Sequence, residues 1–278
     1  MAILFSRIAD DTGTVDTAVA TEVWDYQASG ESPNNRFFYR GATPAPGHTL
    51  YYQNDFLLGM LDCYNIQESF SNINLTPGTT YYFGALFRFD RVSSNDVWHD
   101  INNADSYDKL LEFTGGTRWM FLAGWPNGGY LGSWDHQFTF DLYASPTFCT
   151  SCQAERKANV SPYSATNPYL CDYGRWYALV MSFKPSNGNT ADGAVELFIN
   201  GTKTTSFLNE KTQDSTTPYI ERFAYSGTVA QPGYDAPAHT RKLDNVIFAT
   251  TLADMEAAGL MEDPEAGGGS GADPVLIL

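Results

Sequence analysis

The residues best suited to chemistry recur at every second position. Between 137 and 143, Gln137, Thr139, Asp141 and Tyr143 alternate with Phe138, Phe140 and Leu142. In an extended chain this spacing sends the polar set to one face and the apolar set to the other. An amide, a carboxylate and a phenol on one face can hold a polar ligand. A tyrosine beside a charge-neutralising group can also move a proton. Arg88, Glu112, Trp119 and Tyr177 join the set if their strands lie beside this one. His99 and His136 stand at expected strand ends or loops, where a histidine is more often a surface residue than a catalyst.

The elements that must position these residues are strands. The stretch from Asp172 to Thr205 organises the reading: an apolar run from Arg175 to Lys184, a turn rich in Pro, Ser, Asn and Gly, and a second run from Ala194 to Lys203. In the second run Val195, Leu197 and Ile199 alternate with Glu196 and Phe198. Asn200-Gly201 then supplies a tight hairpin turn. Tyr81 to Val92 alternates in the same way. Shorter strands are expected at 2–8, 36–40, 49–53, 109–114, 118–123, 137–143, 219–225 and 241–250. Many short strands with turn signals between them predict an all-β fold, a two-sheet antiparallel β-sandwich of the jelly-roll kind. Its core should include Phe83, Phe87, Trp176, Val180, Val195, Leu197 and Ile247. This domain spans residues 1–250. Residues 251–278 add a short helix from Leu252 to Met261, a Gly-rich linker and an apolar tail ending Val275-Leu276-Ile277-Leu278. Such a tail suits docking on an exposed strand edge of its own chain or of a neighbouring copy, and the neighbouring copy, in a homo-oligomer or assembly, is the favoured expectation.

Composition bounds the partners. Sixteen basic residues against 32 acidic ones give a net charge of -16, which disfavours nucleic acid and anionic membranes. No apolar run is long enough to cross a membrane as a helix, so no membrane insertion is expected. The aromatic share of 15% suits strands, and also surfaces that stack on sugar rings. No leader is visible in this numbering, because the apolar start of Met1 to Phe5 is broken by Ser6 and Arg7. An extracellular or virion-surface location is expected. Cys149 and Cys152 have the spacing of a zinc half-site or a redox pair, but no second pair, no HxxxH and no βαβ pattern accompanies them. With Cys63 and Cys171 they make an even count that suits disulfides. Cys171 with Cys149 or Cys152 is the favoured bridge, and three full pairings remain open.

The order YYFGALFRFD, KLLEF, GRWYALVMSFKP, FING and RKLDNVIFAT resembles the concanavalin A-like lectin/glucanase superfamily, especially its heparin lyase I and alginate lyase jelly rolls. The likeness covers roughly residues 75–250. It implies two stacked sheets, one of them concave and forming a glycan groove. It also implies a calcium ion clamped between an early acidic turn, here Asp10 and Asp11, and an aspartate of the last strand, here Asp244. The Glu-x-Asp-x-x-Glu strand of the superfamily's retaining glucanases is absent. The Arg-x-Glu-x-Arg, Gln-Ile-His and Tyr-rich motifs of its alginate lyases are not intact either. The leading expectation is therefore a non-catalytic protein that binds a polysaccharide in an aromatic groove lined by Arg88, Glu112, Trp119, Gln137, Asp141, Tyr143 and Tyr177. A structural or virion subunit on the same fold is one alternative. A polysaccharide lyase using a Tyr or His acid-base is the other.

Overall fold

The computed structural model describes residues 3–12, 25–28, 37–56, 64–91, 107–115, 120–126, 136–142, 157–158, 170–171, 174–188, 190–210, 217, 219–226, 228–229 and 239–266. Strands are numbered in chain order. One sheet holds β1 (Ile3–Arg7), β3 (Phe37–Arg40), β4 (Tyr51–Phe56), β6 (Tyr81–Arg91), β12 (Trp176–Lys184), β13 (Gly193–Ile199), β14 (Thr202–Glu210) and β17 (His239–Ala249). Its order is β14-β13-β12-β6-β17-β4-β3, with β1 also paired to β17. The other holds β2 (Asp25–Ala28), β5 (Tyr64–Asn74), β7 (Tyr107–Gly115), β8 (Met120–Pro126), β9 (His136–Leu142), β10 (Lys157–Ala158), β11 (Leu170–Cys171), β15 (Tyr219–Ser226) and β16 (Thr228–Val229). Its order is β10-β9-β8-β7-β15-β5-β2. Neighbours in both sheets run antiparallel, and the two sheets form the expected β-sandwich jelly roll.

The central stretch folds as its alternation requires. Along β13 every second residue is buried, from Gly193 through Val195 and Leu197 to Ile199. β12 is flanked by β6 and β13, and both of its faces are covered, so eight successive residues are buried. Asn200 and Gly201 turn the chain with φ of 49° and 74°, which fits the tight hairpin turn read from their types. The Asn200 side chain adds a fastening, its Oδ1 accepting from the Ala178 amide at 2.9 Å.

All seven expected core residues are buried, but they serve two layers. The register Trp176↔Arg88, Ala178↔Leu86 and Val180↔Gly84 puts one set on the outer face of the first sheet. There Trp176, Val180 and Ile247 pack with Tyr51, Leu86, Met255 and Leu260 under the C-terminal segment. Phe83, Phe87, Val195 and Leu197 take the opposite face, in the layer between the sheets. Gly84 permits the outer packing, because a Cβ there would stand 2.8 Å from Leu260 Cδ1 and 3.0 Å from Val180 Cγ2.

Several elements differ from expectation. β5 and β2 form where no strand was expected, and Ala9–Thr12 forms one turn of helix, α1, where a plain acidic turn was expected. The C-terminal helix α2 (Leu252–Ala257) stops short of Met261. Thr251 caps its start, accepting from the Asp254 amide at 3.2 Å, and no basic residue in its last turn supports the other end. Among the described residues no helix is long and apolar enough to cross a membrane.

Candidate functional site

The second sheet gathers the chemistry-bearing positions. Asp141 of β9 stands opposite Phe121 of β8, and Phe121 opposite Glu112 of β7. Glu112 is opposite Ala224 of β15, Ala224 opposite Gln67 of β5, and Gln67 opposite Asp25 of β2. One cross-strand row therefore runs Asp141–Phe121–Glu112–Ala224–Gln67–Asp25 over six strands. Adjacent strands lie about 4.8 Å apart, so Glu112 and Asp141 are roughly 10 Å apart along the row. To one side Thr139 and Ala123 share this face by pleat alternation and Lys109 stands opposite Ala123 across a register shift between Lys109 and Leu111, with Gln137 opposite Trp125 beyond them. Thr114, Arg222 and Ser69 line up to the other side. The intervening rows are apolar: Leu142, Met120, Phe113 and Phe223 in one, Phe140, Leu122 and Leu111 in another. Glu68, opposite Phe223, is the exception, and nothing in the structure explains it.

Three of the expected groove residues, Glu112, Gln137 and Asp141, thus share one face. Two others do not. Arg88 and Tyr177 belong to β6 and β12, which are in the first sheet. Their register also separates them, since Tyr177 pairs with Phe87 and Arg88 with Trp176, on opposite faces. Tyr177 is buried. Arg88 is engaged on the outer face, with Nε 2.8 Å from Asp90 Oδ1. Asp90 also pairs with the buried Lys242, whose Nζ sits 5.0 Å above the Tyr51 ring and donates to Thr43 Oγ1. Both residues were expected beside β9 only if their strands border it, and neither β6 nor β12 does. Trp119 and Tyr143 lie outside the described residues, as do Cys63, Cys149 and Cys152. Cys171 stands opposite His136 at the edge of the second sheet.

The basic positions that join the row, Lys109 and Arg222, were not singled out from the sequence. Their signal was present in the alternation of Tyr219–Ser226, where Arg222, Ala224 and Ser226 interleave with Phe223 and Tyr225. It counts only once β15 is known to lie between β7 and β5.

The expected metal residues come together differently. β17 pairs with β4 through His239 to Leu243 and with β1 through Val246 to Ala249. Asp244 and Asn245 fall between those two pairings, and Asn245 has a φ of 50°. Asp244 is wholly buried, and its Oδ1 accepts from the amides of Ala9 at 3.0 Å and Asn245 at 2.7 Å. Its Oδ2 faces His48 Nδ1 at 2.8 Å. Neither atom has another hydrogen-bond partner among the described residues. Asp10 Oδ2 lies 3.7 Å from the same nitrogen. Asp10 accepts from the Thr49 amide, the Thr49 hydroxyl and the Leu50 amide, at 2.5–3.1 Å. Asp11 is exposed and its amide donates to Ile8 O. Contact with Asp244 raises the pKa of His48 against the opposing effect of burial, and the charges of Asp244 and Asp10 add to the rise.

Calcium takes about six to eight oxygen ligands. Here three of the four carboxylate oxygens of Asp10 and Asp244 already accept from protein amides or a hydroxyl, and the fourth, Asp244 Oδ2, faces the ring nitrogen that stands between the two side chains. The residues do not fit a calcium ion. Among the described residues no group of three His, Cys, Asp or Glu is arranged to hold a metal.

The architecture has relatives among solved structures. An endo-β-1,4-glucuronan lyase from the fungus Trichoderma reesei superposes with a TM-score of 0.56 at 16% identity, covering 91% of this chain and 98% of its own. The alginate lyase Aly36B gives 0.57 at 15% identity, over 89% of this chain and 98% of that one. The fold is the β-sandwich jelly roll of these solved structures. A marine alginate lyase from Aplysia kurodai matches this jelly roll more loosely, with a TM-score of 0.52 at 9% identity over 90% of this chain and 100% of its own. The sequence matches no protein-family model and no curated protein. At these identities the likeness to solved structures is one of fold.

Proposed function

We propose that this jelly roll binds an extracellular polysaccharide along the polar face of its second sheet. The observation that carries this reading is the row Asp141–Phe121–Glu112–Ala224–Gln67–Asp25, which crosses six strands on one face while the intervening rows, Glu68 apart, are apolar. A row of this kind offers carboxylate and amide groups at strand spacing, with aromatic positions at Phe121 and Trp125. That is the chemistry that grips sugar hydroxyls and stacks on pyranose faces. Sugar-chain binding is tested by titrating the full chain against a panel of neutral and uronate-containing polysaccharides. Saturable binding that is weakened by substitutions at Glu112 and Asp141 supports it. Failure to bind any member of a broad panel overturns it.

A lyase reading is supported by a separate observation. Lys109 and Arg222 flank the row on the same face, and the solved relatives are described as lyases of glucuronan and alginate. Eliminative cleavage needs a cation or other donor to neutralise the uronate carboxylate and a base to take the neighbouring proton. The flanking cations suit the first task. Incubation with uronate polysaccharides separates the two readings. Release of unsaturated sugar ends, read by ultraviolet absorbance, establishes the lyase. Binding without release establishes the recognition module.

A further inference from the structure

We propose that the His48 ring fastens the N-terminal segment by standing where a bound cation would otherwise bridge Asp10 and Asp244. Three stretches that are far apart in sequence meet at this ring. Asp10 belongs to α1, which follows β1; His48 lies just before β4; Asp244 lies in β17 between the pairings to β4 and β1. A buried carboxylate is costly unless it is both hydrogen-bonded and paired with opposite charge. The amides of Ala9 and Asn245 satisfy Asp244 Oδ1, so Oδ2 is left to the ring, at 2.8 Å. The same ring nitrogen is within 3.7 Å of Asp10 Oδ2. One side chain therefore meets carboxylates from two segments at once, which is the bridging task of a bound divalent ion. It also meets them where amides and a hydroxyl already occupy the remaining carboxylate oxygens. In this arrangement the Ala9 amide is tied to Asp244 and Asp10 is tied to Thr49 and Leu50, so the start of the chain is held on β17 by protein groups alone.

The test is thermal unfolding of the full chain in calcium and after chelation, for the wild type, His48→Ala and Asp10→Asn. The wild-type Tm should not depend on calcium bound at Asp10. His48→Ala should lower Tm by several degrees in the chelated protein, since it leaves Asp244 buried without its counter-charge. A His48→Ala protein as stable as wild type overturns the proposal. So does a calcium-dependent rise in wild-type Tm that Asp10→Asn abolishes, which would mean that a cation binds there despite the ring. If His48→Ala cannot be recovered folded, the calcium response of the wild type against Asp10→Asn decides the matter alone.

Discussion

Glu112 and Asp141 occupy one cross-strand row of the second sheet, on either side of Phe121. They come from β7 and β9, so neither is a sequence neighbour of the other. The row sets the two positions two strand spacings apart, roughly 10 Å. Under the proposed polysaccharide binding, that span would accommodate one or two sugar rings.

The first prediction concerns this pair. Glu112→Gln and Asp141→Asn should each weaken polysaccharide binding while leaving the urea midpoint within error of wild type. A hydrogen bond to a charged group is worth about 1.5–3 kcal/mol, so each change should cost about tenfold or more in Kd. Calorimetric titration reads the effect. Loss of the fold together with loss of binding would show that these positions serve packing instead.

The flanking cations lead to a second expectation. Lys109→Ala and Arg222→Ala should reduce binding of uronate-containing chains and flatten its dependence on salt, because surface charge attraction is screened by salt. Neutral glucans should be affected much less. Equal loss for acidic and neutral chains would assign the two residues to shaping the sheet.

How far the sequence discloses this molecule depends on the kind of information needed. The strand faces of Gln137–Asp141 and Val195–Ile199 are set by local alternation, and they were readable at once. Partnership between strands is not local. Arg88 looked like a groove residue because β6 alternates as cleanly as β9, yet β6 lies in the other sheet. β5 was missed for a different reason. Its sequence YNIQESFSNIN mixes polar residues into both alternating sets, so it carries no clear two-residue period. The resemblance implies Asp10, Asp11 and Asp244 as calcium ligands, whereas nothing in it points to His48, whose ring faces both Asp10 and Asp244. It is 38 residues from Asp10 and carries no motif; only the junction of β4, β17 and α1 brings it in.

A third prediction compares two glycines with similar backbones. Gly201 has a φ of +74°, and a Cβ there would lie 2.0 Å from the Met261 carbonyl oxygen. Gly47 has a φ of +83° with nothing within 4 Å of its would-be Cβ. The left-handed conformation alone costs a side chain about 1–2 kcal/mol, so Gly47→Ala should lose roughly that much. Gly201→Ala must in addition push the C-terminal segment off the hairpin and should lose clearly more. Denaturant unfolding of both variants checks the order. Equal losses would mean that residues after α2 contribute little to holding the first sheet.

The last prediction is the pH dependence of the junction at β17. The contact with Asp244 raises the folded-state pKa of His48, and the charges of Asp244 and Asp10 add to this against burial. A raised pKa means that the folded state binds the proton more tightly than the unfolded chain. The resulting stability is complete below the unfolded value of about 6.5 and is lost as pH rises through the higher folded value. Asp10 has the opposite sign. Burial pushes its carboxyl up, but the Thr49 hydroxyl, the amides of Thr49 and Leu50 and the charge of His48 more than reverse this and leave it lowered. Its contribution is complete above about 3.9 and is lost as pH falls through the lower folded value. The two contributions are therefore both complete between about pH 4 and pH 6.5. Urea midpoints measured across pH should fall on either side of that window. His48→Ala should flatten the fall on the neutral side, and Asp10→Asn the fall on the acid side. A neutral-side fall that survives in His48→Ala would have to come from another group, and the ring would then not be the titrating partner of Asp244.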